Sequence, residues 1–203
     1  MLFDDSYKTV AAAAEGVYNV SGSKFIAYVI PLDSEAGIKP AVAKIKELQP
    51  GASHYCWACK FVNEQSNGRV NDDGEPAGSA GRPILNLILS KQLNNVLIVV
   101  VRYFGGTLLG IPGLVAAYKT AAQNALVNAR MVKEVFRDFY QVEFDYANLN
   151  EVMRLIKDED LGVTEKSIDN RCVLTVGIPK LKVEAVLSRL DNASLKVVYL
   201  YSK

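Results

Sequence analysis

The sequence predicts an α+β protein of two domains, residues 1–131 and 132–203. Three observations carry that prediction. In the first part, apolar periods read as three strands with one helix interposed, then helix, strand, helix. A charged stretch from Arg130 to Asp138 follows and marks the boundary. Beyond it the periods run strand, helix, strand, strand, helix, strand, the βαββαβ order of a ferredoxin-like domain.

The elements follow in order. Val17 to Val20 and Lys24 to Pro31 are rich in β-branched and aromatic residues, and Ser21-Gly22 between them is a turn signal, so they predict a hairpin. Ser34 is placed to cap a helix through Leu48, with Ala41, Val42, Ile45 and Leu48 on one face. Pro40 lies inside that pattern and moves the regular start toward itself, and Pro50-Gly51 ends it. Ala52 to Val62 is a third strand, and Asn63 to Ser79 is an almost wholly polar loop. Ser79 or Gly81 leads into a helix that tolerates Pro83 in its first turn and turns Ile84, Leu87 and Ile88 inward. Val96 to Tyr103 is a continuous apolar run, the mark of a strand buried on both faces. Gly105 to Ile111 is a glycine-rich loop, and Pro112 opens a helix to about Ala129 with Leu114, Val115, Tyr118, Ala122 and Leu126 on one side. In the second part, strands are predicted at Phe139 to Tyr146, Val163 to Ile168, Cys172 to Ile178 and Leu195 to Tyr201. Helices fall at Asn148 to Asp158 and Pro179 to Leu190.

Composition narrows the function classes. Half the residues are hydrophobic, enough for a sizeable core. The longest aliphatic run, Val96 to Val101, is far short of the ~20 residues that span a bilayer. The start MLFDDSYK lacks the basic flank and apolar core of a signal peptide, so a cytoplasmic protein without a membrane partner is expected. Residues 1–131 hold 12 Lys/Arg against 10 Asp/Glu, and residues 132–203 hold 11 against 12. Neither part is a basic nucleic-acid-binding domain. Cys56-Trp57-Ala58-Cys59 is formally a C-x-x-C, but no second pair accompanies it and His54 is the sole histidine. On a strand the two cysteines face opposite sides, so unpaired thiols are expected.

The candidate site lies between Asn71 and Tyr118. Seven of the 14 glycines fall there, beside Asp72, Asp73, Glu75 and Arg102. Glycine is used where backbone needs positive φ or a close approach. The three acids either ligate a divalent cation or hydrogen-bond their own turn around Gly74, and no D-x-D-x-D spacing favours metal. His54 is either an acid–base or anion contact, or a strand histidine held by backbone. Arg102, followed by Tyr103 and Phe104, either clamps a phosphate or base, or pairs with the acids. Gly105, Gly106, Gly110 and Gly113 match neither G-x-G-x-x-G nor a Walker pattern, yet they connect a strand to a helix start, where free N–H groups favour anions. Close packing is the structural alternative.

DDGEPAGSAGRPIL followed by VVVRYFGGTLLGIPGLVAAY resembles the signature of the YigZ/IMPACT family, and His54, Cys56 and Ala58 match its upstream H-x-C-x-A element. The segment from Phe139 onward is similar to the small C-terminal domain of bacterial members. The resemblance implies, for the first domain, the fold shared by domain 2 of a small-subunit ribosomal protein and domain IV of elongation factor G. It also brings a eukaryotic branch tied to translational control. The chain departs from the family pattern at Leu108, where many members carry lysine, at Pro112, where they carry glycine, and at Ala116, where they carry arginine. Two cations are thus missing from the loop that would meet a polyanion.

These readings together predict a non-catalytic regulatory or binding protein related to translation, with neither cofactor nor metal. RNA or a ribosome-associated protein, or a phosphate-like anion, would be engaged by His54, Asp72, Asp73, Glu75, Arg102, Tyr103, Gly105, Gly106, Gly110 and Gly113. The alternative is an enzyme acting on a small phosphorylated or anionic substrate in the same cleft. The oligomeric state is left open.

Overall fold

The computed structural model describes residues 6–62, 67–169, 171–191 and 195–202. It is α+β, and it divides into two compact units, Tyr7–Lys133 and Glu134–Lys203, the latter together with Ser6. In chain order the first part contains β1 (Ser6–Val10), β2 (Ala14–Val20), β3 (Ser23–Pro31), α1 (Ile38–Leu48), β4 (His54–Lys60) and β5 (Arg69–Asn71). It continues with α2 (Gly81–Ser90), β6 (Val96–Tyr103), α3 (Gly110–Asn128) and β7 (Met131–Val135).

Five of these strands form one antiparallel sheet in the order β2-β3-β6-β4-β5, while β1 pairs with β7. β6 is central and buried almost throughout. Its alternate residues serve two cores. Val96, Ile98 and Val100 pack with Ile84, Leu85 and Ile88 of α2 and Leu114, Ala121 and Ala125 of α3. Leu97, Val99 and Val101 pack on the other face with Ile38 and Ile45 of α1. A strand covered on both sides must be apolar at every position, which is why it reads as an unbroken run. Cys56 falls in the first core and Cys59 in the second, as a period of two requires, and neither forms a disulfide.

Several element bounds differ from expectation for local reasons. A 3-10 turn at Glu35–Gly37 precedes α1, so Ser34 does not cap it, and Pro40 sits in the first turn, where its missing N–H costs nothing. Leu48 is exposed rather than inward. α3 starts at Gly110, two residues before Pro112. The polar stretch 63–79 contains the short strand β5, and 63–66 of it lie outside the described residues. The charged stretch 130–138 is not an irregular connector, because β7 occupies most of it.

The second unit contains β8 (Arg137–Asp145), α4 (Leu149–Asp158), β9 (Gly162–Ile168), β10 (Arg171–Pro179), α5 (Val183–Asp191) and β11 (Lys196–Ser202). Its antiparallel sheet has the order β11-β8-β10-β9. Val152, Leu155 and Ile156 of α4 share one core with Val186 and Leu190 of α5 and with Val142, Phe144, Leu174 and Val176 of the sheet. Among the described residues no helix is long and apolar enough to cross a membrane.

The loop from Phe104 to Leu109 joins β6 to α3, and its two glycines do different work. A Cβ on Gly105 would lie 1.9 Å from the carbonyl carbon of Gly22, at the β2–β3 turn. Gly106 has φ +83° and nothing near the position of a Cβ. Gly106→Ala should therefore cost only the ~1–2 kcal/mol of a left-handed alanine. Gly105→Ala should cost more, because two backbones must separate. Denaturant unfolding of both variants checks the order, and equal losses would contradict it.

Candidate functional site

The site is built on one face of the central strands. Phe25, Arg102 and His54 are register partners across β3, β6 and β4. Side chains directly opposite on neighbouring strands share a face, so the guanidinium lies between a phenyl ring and an imidazole. Arg102 Cζ is 5.5 Å from the Phe25 ring centre and 5.3 Å from that of Phe104. Tyr103, one residue on, points to the opposite face, where its hydroxyl donates to Gln49 Oε1 at 3.0 Å. Alternation along β6 removes it from the group expected to act together.

The acidic loop comes next. Asp72 works inside the loop: Oδ1 accepts from the backbone N–H groups of Ala80 and Gly81 at 3.1 and 2.8 Å, and Oδ2 from that of Gly78 at 2.8 Å. It thereby satisfies donors at the start of α2. Burial alone would raise its carboxyl, but the N–H donors of Gly78, Gly81 and Ala80 outweigh that and hold it below the usual carboxylate range. Asp73 and Gly74 turn the chain with φ of 42° and 88°. The Asp73 carboxylate accepts the Tyr55 N–H at 2.7 Å, and its carbonyl lies 2.8 Å from His54 Nδ1. A carbonyl only accepts, so Nδ1 carries a proton and donates it to this bond.

This turn delivers Glu75 to the interior. Its Oε1 accepts from Arg102 Nη1 at 2.7 Å and from the Tyr118 hydroxyl of α3 at 2.7 Å, and lies 4.0 Å from His54 Nε2. Arg102 and Glu75 are both buried. Burial pushes the Tyr118 hydroxyl well above its ordinary range. Burial also pushes the Cys56 thiol up to about 12. That thiol lies 3.0 Å from the Asp72 carbonyl and 3.3 Å from the Tyr118 oxygen, and it stays protonated as a core group at neutral pH.

A cleft of about 370 Å³ opens above this network, lined by His54, Glu75, Arg102, Phe104, Leu108 and Gly110 together with Pro76, Leu109, Ile111 and Leu114. Of the residues expected from sequence, His54, Glu75, Arg102 and Gly110 meet here. Asp72 and Asp73 hold the loop behind it. Gly105 seats the loop against the Gly22 turn, Gly106 supplies a positive φ, and Gly113 packs on Leu109. Sequence reasoning assigned Tyr118 to packing and missed its bond to Glu75. It also missed the apolar rim of Phe104, Leu108 and Ile111, which are 48%, 88% and 58% exposed. The signal for the rim was Leu108 with Ile111, apolar residues in the glycine-rich loop. Among the described residues no group of three or more His, Cys, Asp or Glu is placed to hold a metal ion.

Fold and site together define a two-unit α+β protein with a buried arginine–glutamate pair beneath a cleft at the β6–α3 junction. Residues 21–126 match the model of the Impact N-terminal domain, and the chain belongs to the IMPACT family. It is 34% identical over 177 residues to an IMPACT family member of Haemophilus influenzae, covering 86% of each chain. It is 29% identical over 192 residues to the IMPACT family member YigZ of Escherichia coli, covering 94% of each. A solved crystal structure of a hypothetical protein is similar over 97% of this chain and 98% of its own, with a TM-score of 0.69 and 28% identity.

Two expectations follow. Arg102→Met strands a buried carboxylate and should cost about 3–5 kcal/mol, and adding Glu75→Gln should recover part of that loss. Additive losses in denaturant unfolding would contradict a coupled pair. For Asp72, the folded value lies below the unfolded one. Its stabilisation is present above an unfolded carboxylate value of about 4 and is lost as pH falls through the lower folded value. Asp72→Asn should therefore destabilise at neutral pH, and its difference from wild type should shrink in acid. Unfolding midpoints measured across that range check the sign.

Proposed function

We propose that this chain is a non-catalytic binding protein that engages a protein partner through the cleft, in a translation-related, cytoplasmic role. The observation that carries this is the pairing of an exposed apolar rim with an internally neutralised floor. Leu108 is 88% exposed beside Ile111 and Phe104, while the Arg102 and Glu75 charges oppose each other below. Apolar side chains ringed by polar surface suit protein contact. A polyanion needs cations that release counterions, and Leu108 and Ala116 supply none. The translational connection rests on membership of the IMPACT family and on what the sequence resemblance implies for its eukaryotic branch. In this reading Tyr7–Lys133 is an IMPACT-type domain with the fold of domain 2 of a small-subunit ribosomal protein, and Glu134–Lys203 is a ferredoxin-like domain. The strand order β11-β8-β10-β9 supports the second assignment.

One observation favours the enzyme alternative. His54 Nε2, 4.0 Å from Glu75 Oε1, opens on the same cleft as Arg102, a grouping suited to a small anionic substrate. A photo-crosslinking amino acid at position 108, introduced in cells, separates these readings. Cross-linking to one protein, lost on Ile111→Asp with folding intact, is expected. Cross-linking mainly to RNA would overturn the proposal, as would turnover of small anions abolished by His54→Ala.

A further inference from the structure

We infer that the cleft receives a single carboxylate flanked by apolar side chains, presented by the partner protein as its chain end. This rests on the protein-binding reading above and adds the chemistry of the bound group.

Three features of the cleft converge on that chemistry. Arg102 is 5% exposed yet underused: among the described residues its side chain makes one hydrogen bond, from Nη1 to Glu75. Its Nε has no acceptor there. A guanidinium presents five N–H donors in a planar fork that matches a carboxylate. The rings of Phe25 and Phe104 hold that fork from 5.5 and 5.3 Å. Nε is enclosed beside the half-exposed Phe104 ring, so a carboxylate reaches it only as that side of the cleft rearranges.

The second feature is the start of α3. Gly110 and Ile111 wall the cleft, and among the described residues no side chain caps this 19-residue helix. Its first N–H groups lack intrahelical acceptors and carry the positive end of the helix dipole. The third is the charge balance. Among the described residues Glu75 is the one acid lining the cleft, and its Oε1 already accepts from two donors. One added negative charge is matched by the helix start and the unspent guanidinium donors. A second finds only the His54 imidazole, because Leu108, not a cation, stands at the mouth. The rim of Phe104, Leu108 and Ile111 then covers the apolar groups on either side of the carboxylate.

The test is a nitrogen-15 NMR titration of the full chain with acetyl-leucyl-leucyl-leucine, with its C-terminal amide and with inorganic phosphate. The free-acid peptide should shift the Arg102 Nε–H and the backbone N–H groups of Gly110 and Ile111, binding about tenfold more tightly than the amide. Leu108→Asp, a change at an exposed position, should weaken the acid peptide by about tenfold while leaving the folded spectrum intact. Equal binding of acid and amide at these resonances overturns the carboxylate while leaving protein binding in place. Phosphate acting as strongly as the peptide overturns it too, as does an acid peptide indifferent to Leu108→Asp. If neither peptide shifts these resonances while position 108 still cross-links to a protein, this inference fails and the binding reading survives.

Discussion

A single carboxylate oxygen ties three elements of the first unit together. Oε1 of Glu75, on the loop before α2, accepts from Arg102 at the end of β6 and from Tyr118 of α3. A buried ion pair rarely adds much stability over a well-packed apolar substitute, because desolvation consumes the Coulombic gain. Its effect is on arrangement: with one partner gone, the other is a buried charge without compensation. The loop from Asp72 to Ala80 is held to this pair through Glu75, and that loop contributes Glu75 and Pro76 to the cleft wall.

Asp72 and Glu75 divide the loop's electrostatics. Asp72 spends both oxygens on backbone N–H groups at the entry to α2, and Glu75 N–H bonds back to the Asp72 carbonyl at 2.9 Å. One acid stabilises the turn that carries the other inward. Asp73 fastens the same turn sideways to β4 through Tyr55 and His54. These three acids, which composition alone presents as a group, have three separate partners and do not converge on one point.

How much of this was legible in the sequence depends on whether the cause was local. β6 and α2 stood out because burial imposes a period on every residue, and the β2–β3 hairpin because Ser21-Gly22 names its turn. β1 and β5 did not. β5 is three exposed residues paired only to β4, so no apolar period betrays it. The βαββαβ order of the second unit was read in full, since α4 and α5 each turn a clear apolar stripe to the sheet. At the site, residue types were visible, and Arg102 pairing with the acids was one of two readings, but which acid it takes and what else joins the pair were not. Tyr103 sits beside Arg102 in sequence and across the sheet from it in space. Tyr118 looked like any other inward residue of α3, because its hydroxyl partner lies 43 residues away. The burial of Glu75 follows from Arg102 and Tyr118, so no window around Glu75 could have indicated it.

The cysteines carry a consequence of their own. Cys56, Cys59 and Cys172 are all buried, the first two in the unit Tyr7–Lys133 and the third in Glu134–Lys203. A thiol held at about 12 and shut away from solvent reacts with an alkylating reagent only while its surroundings are open. The chain thus carries native clocks for its own breathing. Labelling at Cys56 times the opening of the core beneath the cleft, labelling at Cys172 times the other unit, and the ratio of the two rates reports whether the units open together or apart.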